Sequence, residues 1–173
     1  RLALAFALAA SFAATAQAAT ITIVNKDAAN EGFNDNTAAA PVGGNTGTTR
    51  GQQRLKVFQQ AAAIWGALLP SAVTIKVDAN FDPLTPCDAT SGVLGSAGPI
   101  SVYANFANAE LPNAWYHVAL ASKLAGSDLN GGTVSEISAR FNSNVDNSTC
   151  LGTTSWYYGF DNNHLTNVDL LPV

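Results

Sequence analysis

The chain has 173 residues, 12 acidic against 8 basic, for a net charge of −4, and only 12% of its residues are charged. No basic cluster accompanies that balance, which argues against nucleic acid and against anionic membrane surfaces as partners. Asn, Thr, Ser, Gly and Ala abound instead, a composition that suits a secreted bacterial protein kept in solution by amides and hydroxyls.

Leu2 to Ala16 is apolar apart from Ser11 and Thr15, follows Arg1, and leads into Ala16-Gln17-Ala18. Small residues at those last positions are what signal peptidase reads, so residues 1–18 are expected to be an export signal, with its start upstream and cleavage after Ala18 or Ala19. The apolar core is about 15 residues, short of the roughly 20 that a membrane-spanning helix needs. The expected location is secreted or periplasmic, and residues 20–173 form the domain. That length supports one hydrophobic core, and a monomer is expected.

Ile21-Thr22-Ile23-Val24 reads as a short strand, and residues 25–48 as a polar surface loop. Thr49-Arg50-Gly51-Gln52 fits a capping box. Leu55, Phe58, Ala62, Trp65 and Leu69 then recur at helical spacing, with Val57, Ala61, Ile64 and Leu68 beside them. This predicts a helix buried over most of its surface and ended by Pro70. Val73 to Asp82 alternates strictly between apolar and polar, the mark of a strand with one covered face. Ile100 to Phe106, Ile137 to Phe141 and Trp156 to Phe160 repeat the alternation. Ala114 to Ala125 reads as a second helix with Gly126 at its carboxyl cap. Asp169 reads as the N-cap of a third. The order of elements predicts an α+β fold, a mixed sheet with helices packed on one face.

Cys87 and Cys150 lie 63 residues apart. In an exported chain one disulfide between them is the default, worth on the order of 4 kcal/mol by the loop-entropy model. A thiolate metal pair is the other reading, but no further Cys or nearby His completes a zinc set. His117 stands among aromatics and reads as a hydrogen-bonded structural residue; so does His164, although its place in a turn also suits the rim of a site. Asp27, Glu31, Asn34 and Asp35 gather oxygens that calcium could use, without the spacing of an EF-hand. Neither a Gly-x-Ser-x-Gly elbow nor a phosphate-binding loop is present. These residues alone assemble no active site.

Several segments in order carry a resemblance. They are Glu31-Gly32-Phe33-Asn34-Asp35, Pro41-Val42-Gly43-Gly44-Asn45, Thr49 to Arg54, Ala63-Ile64-Trp65-Gly66 and Phe81-Asp82-Pro83-Leu84. Leu94-Gly95-Ser96-Ala97, Ala119 to Gly126, Ala139 to Asn144 and Trp156 to Asp161 continue it. Together they resemble a family of secreted bacterial zincin-like proteins, many of which carry a protease-associated domain. The resemblance implies a zincin-like domain, incomplete here, whose full-length parent is a zinc metalloendopeptidase acting on peptides or proteins. In that family the segment similar to Asn167-Val168-Asp169-Leu170-Leu171 leads within a few residues into a His-Glu-x-x-His helix. Two histidines four apart share a helical face and hold zinc while the glutamate activates water.

That motif is not within these 173 residues, so the resemblance assigns no catalytic residue and no zinc ligand here, and residues 20–173 alone are expected to be inactive. It does make Ile137, Ser138, Ala139, Arg140 and Phe141 look like the zincin strand beside the cleft, which can pair with an extended peptide. The competing expectation is a secreted non-catalytic module, an adhesin or glycan-binding domain, with sugars stacking on Trp115, Tyr116, Trp156, Tyr157 or Tyr158.

Overall fold

The computed structural model describes residues 17–147 and 149–173. The expected export signal lies outside the described residues except for Gln17 and Ala18. Among the described residues no helix is long and apolar enough to cross a membrane.

The fold is α+β. Its centre is a four-stranded mixed sheet of β1 (Ile21–Asn25), β2 (Ile75–Asp82), β3 (Gly95–Pro99) and β6 (Ile137–Asn142), in the order β1-β2-β6-β3. The first three in that order are parallel, and β3 closes one side antiparallel to β6. Two short pairs lie outside it: β4 (Val102–Tyr103) with β5 (Tyr116–His117), and β7 (Trp156–Tyr157) with β8 (Val168–Asp169). The helices are α1 (Arg50–Leu68) and α2 (Val118–Ala125).

The alternation of β2 sets the two faces. Ile23, Val77, Ile137 and Pro99 stand in one cross-strand row, and Phe81, Phe141 and Gly95 in another, with Ala79, Ala139 and Ala97 between them. The small residues of the middle row leave room for α1, whose Phe58 stands edge-on to Phe33 at 4.9 Å and to Phe141 at 5.0 Å. Edge-to-face rings match positive edge to negative face, adding to the burial of Phe58, Phe81, Phe141 and Trp156 in one cluster. The opposite face is polar and wet, where Lys26 and Arg140 pair with Asp78 and Asp82, each at 3.6 Å.

Sequence and structure agree on the start of α1: the Gln52 amide donates to Thr49 Oγ1 at 3.2 Å. The Gln52 side chain, however, accepts from the Thr48 amide rather than from Thr49. Burial is where α1 departs most from expectation. Its first half is buried, but Trp65 is 58% and Leu68 69% exposed, because the second half runs beyond what covers it. The second helix is shorter than expected, since Tyr116–His117 is drawn into pairing with Val102–Tyr103 before the chain turns helical. Gly126 caps it with φ 72°, left-handed backbone that glycine adopts without a Cβ clash.

Residues 170–173 form a turn rather than a third helix, because Val168 and Asp169 are taken into β8 against β7. Asp169 Oδ1 nevertheless accepts the Leu171 amide at 3.1 Å, the bond an N-cap makes. Cys87 and Cys150 form the expected disulfide, with Cα atoms 5.2 Å apart. It ties the loop after β2 to the segment leading into β7.

Replacing both cysteines with alanine should lower unfolding free energy by on the order of 4 kcal/mol, read from urea denaturation. A loss below about 1 kcal/mol would mean that the loop is already held by its hydrogen bonds.

Candidate functional site

The feature of the fold that invites a partner is a groove on the covered face of the sheet. Its floor is Ile21, Ile23, Ile75, Val77 and Ile137, one wall is Phe58 and Trp65 of α1 with Leu69 just after it, and its volume is about 310 Å³. It continues past Leu69 and Ile75 to Ala119 and Leu120 of α2, where a further 270 Å³ opens. The floor is apolar because it is the continuation of the strand rows that α1 covers elsewhere. Here α1 contributes only a wall and α2, eight residues long, reaches one flank.

Beside the groove lies the free edge of β3. Asn142 N donates to Leu94 O, and Ile100 N donates to Glu136 O. Antiparallel alternation then turns the amides of Gly95 and Ala97, and the Pro99 carbonyl, outward from the sheet. Ala97, Gly98, Pro99, His117, Leu120 and Glu136 surround a hollow of about 360 Å³ below this edge.

The strand expected to meet a peptide is a different one. Ile137, Ser138, Ala139, Arg140 and Phe141 form β6, which pairs with β2 on one side and β3 on the other. Their backbone groups are committed on both sides, so β6 offers no free edge to a peptide, and the outward edge belongs to β3. Alternation marked β6 as a strand, and the resemblance to zincin-like proteins made it the expected substrate strand. Gly95-Ser96-Ala97-Gly98-Pro99 has two glycines and a proline, weak strand formers that suit an edge. Glu136 was also missed. It reads as a polar-face residue, yet it is 1% exposed because its Oε2 accepts the Lys76 amide at 2.6 Å.

The two histidines are not brought into a common site. His117 is exposed at the end of β5, and His164 Nδ1 lies 2.8 Å from the Asn167 carbonyl within its own turn. Of the aromatics expected to stack on sugars, Trp156 and Tyr158 are core, Tyr116 and Tyr157 are half-buried, and Trp115 is 73% exposed.

The proposed calcium ligands are engaged by the protein itself. Asp27 accepts the amides of Phe33 at 2.6 Å and Phe81 at 3.0 Å. Glu31 accepts Ala28 N, and the Asn34 amide donates to the Asp27 and Ala28 carbonyls. Asp35 accepts Thr37 N and faces Arg50 and Arg54 at 3.6 Å. Among the described residues no three His, Cys, Asp or Glu side chains converge as a metal set.

Burial raises the pKa of Asp27, and its two backbone hydrogen bonds only partly offset this. For Asp35 burial also works against the charge, but the Thr37 bonds and the two guanidinium groups outweigh it and lower its pKa. The signs are opposite. Asp35 contributes stability above its ordinary value of 3.8 that is lost as pH falls through its lowered pKa. Asp27 is a penalty at neutral pH that protonation relieves. Asp35→Asn should therefore lower the urea midpoint at pH 7 and narrow the difference between variant and parent at pH 3. Parallel curves at both pH values would contradict this assignment.

No protein-family model matches the chain, and no curated protein or solved structure matches it.

Proposed function

We propose that the chain is the N-terminal scaffold of a secreted zinc-dependent peptidase. The groove on the sheet receives the metal-binding helix that follows Val173 in the parent, and the β3 edge receives substrate. The observation that carries this reading is the groove itself. Its apolar floor continues the core and lies between α1 and α2, the kind of surface on which a further helix packs. Apolar surface of this kind lowers free energy when covered. The outward amides of Gly95 and Ala97 supply the pairing that an extended peptide needs. The ordered sequence resemblance to zincin-like proteins supports the same reading. In it the residues of this chain position and bind, while zinc, held by residues beyond Val173, supplies the activation of water.

Exposed Trp115 favours the second reading, a non-catalytic secreted module that stacks sugars on that ring. The two readings separate on one experiment. The reading frame extended by on the order of 20 residues, one domain-spanning helix, should encode His-Glu-x-x-His, and its product should hydrolyse peptides in a chelator-sensitive way. Residues 20–173 alone should show no turnover. A downstream helix without the motif, together with glycan binding lost in Trp115→Ala, would overturn the peptidase reading.

Within an active parent, Ala97→Pro should raise KM for peptides about three- to tenfold, the worth of one hydrogen bond, with little change in Tm because that amide points away from β6. An unchanged KM would remove β3 as the substrate edge.

A further inference from the structure

Ala19 occupies a position that the sequence alone does not explain. Its amide donates to two carbonyls at the carboxyl end of α1, Gly66 O at 3.0 Å and Leu69 O at 2.8 Å. Its side chain is buried, 8% exposed, while Gln17 and Ala18 before it are exposed. Gly66 is shaped to this contact: a Cβ there would stand 2.6 Å from the Ala19 carbonyl oxygen. The last carbonyls of a helix lack partners within it and carry its partial negative charge. The last turn of α1 contains no basic residue to answer that charge.

We infer that the export signal is cut between Ala18 and Ala19, and that the amino terminus so created docks as an ammonium on the carboxyl end of α1. Sequence leaves the bonds after Ala18 and after Ala19 both open; the fold separates them. Cleavage after Ala18 puts Ala16 and Ala18 at the two positions where signal peptidase requires small residues. Cleavage after Ala19 would put Gln17 at the first of these. It would also discard a buried side chain and the donor of both helix-capping bonds. The remaining start of the domain is untouched by the first cut: the Thr20 carbonyl still accepts Ile75 N at 2.8 Å and opens the β1–β2 ladder. What is given up is the bond from Ser71 N to the Gln17 carbonyl and the bridge between Ala18 and Pro70.

The chemistry is amide hydrolysis by the exporting cell's signal peptidase. Water delivers its hydroxyl to the Ala18 carbonyl carbon and a proton to the Ala19 nitrogen, which takes a second proton from solvent. The amide had one N–H for two carbonyls; the ammonium has three, so each acceptor gains its own donor and the charge is of the sign that a helix carboxyl end favours. Processing thus finishes a helix cap that the precursor makes only in shared form.

The inference rests on the export reading and not on peptidase activity. N-terminal sequencing and intact mass of the protein recovered outside the cytoplasm of its source cell test it directly. A mature chain beginning Ala19-Thr20-Ile21 is expected. A chain beginning at Thr20, any other start, or an uncut chain overturns it. Docking has its own readout on the same material. An amine-selective acylating reagent near neutral pH should modify the Ala19 terminus severalfold more slowly in the folded protein than in urea. Gly66→Ala, which crowds the Ala19 carbonyl without altering the cleavage site, should remove most of that protection. Equal labelling rates folded and unfolded would overturn the docking.

Discussion

One guanidinium holds this fold together. Arg54 is 2% exposed and lies in the first half of α1. Its Nε donates to Tyr158 Oη at 2.9 Å, one terminal nitrogen to the Gly32 carbonyl at 2.9 Å, and the other to Asp146 at 2.7 Å. Tyr158 Oη in turn donates to Asp146 at 2.6 Å, and the guanidinium lies over the Phe81 ring at 4.6 Å. The loop after β1, α1, β2, the turn after β6 and the strand region near the carboxyl end therefore meet at one side chain. A buried charge is tolerable only when its hydrogen bonds are filled, and removing one partner strands the other. Burial, the largest influence on Tyr158, and the neighbouring Asp146 carboxylate both raise the pKa of the phenol, so it stays a neutral donor.

Buried amides do the same for the loops. Asn45 donates to the carbonyls of Gln53 and Tyr158 and accepts Gly47 N. Asn142 bridges Leu84, Val93 and Asn144. These bonds explain how a chain with so few charges orders a polar loop as long as residues 25–48. Its backbone groups find partners inside the protein rather than in water. The same economy of charge leaves the groove over Ile75 and Ile137 bordered mostly by apolar side chains, with Ser71 and Lys123 at its α2 end.

Periodicity made β1, β2, β6 and α1 legible, because each places apolar residues at the spacing of its own backbone. The Thr49 cap, the Gly126 cap and the Cys87–Cys150 pairing were legible from local chemistry. What escaped depends on contacts distant in sequence. Gly95 to Pro99 lacks strand-forming side chains and is a strand only because β6 offers it a ladder. Val168 and Asp169 become strand because Trp156 and Tyr157 lie beside them, which overrides the helix-start signal of Asp169. The exposure of Trp65 and Leu68 could not be read from the α1 stripe, since a stripe shows which residues want cover and not what supplies it. Arg54 likewise carries no local signal of its role, which exists only because four other segments converge on it.

The proposal therefore turns on whether a helix of a longer parent covers the groove. Acrylamide quenching of Trp65 measures this most directly, with Trp115→Phe removing the other exposed indole while Trp156 stays in the core. In the chain ending at Val173, Trp65 should be quenched freely. In a chain extended through the helix proposed to follow, its quenching should fall toward that of buried Trp156. Equal quenching of Trp65 in the two chains would contradict the claim that a following helix fills the groove.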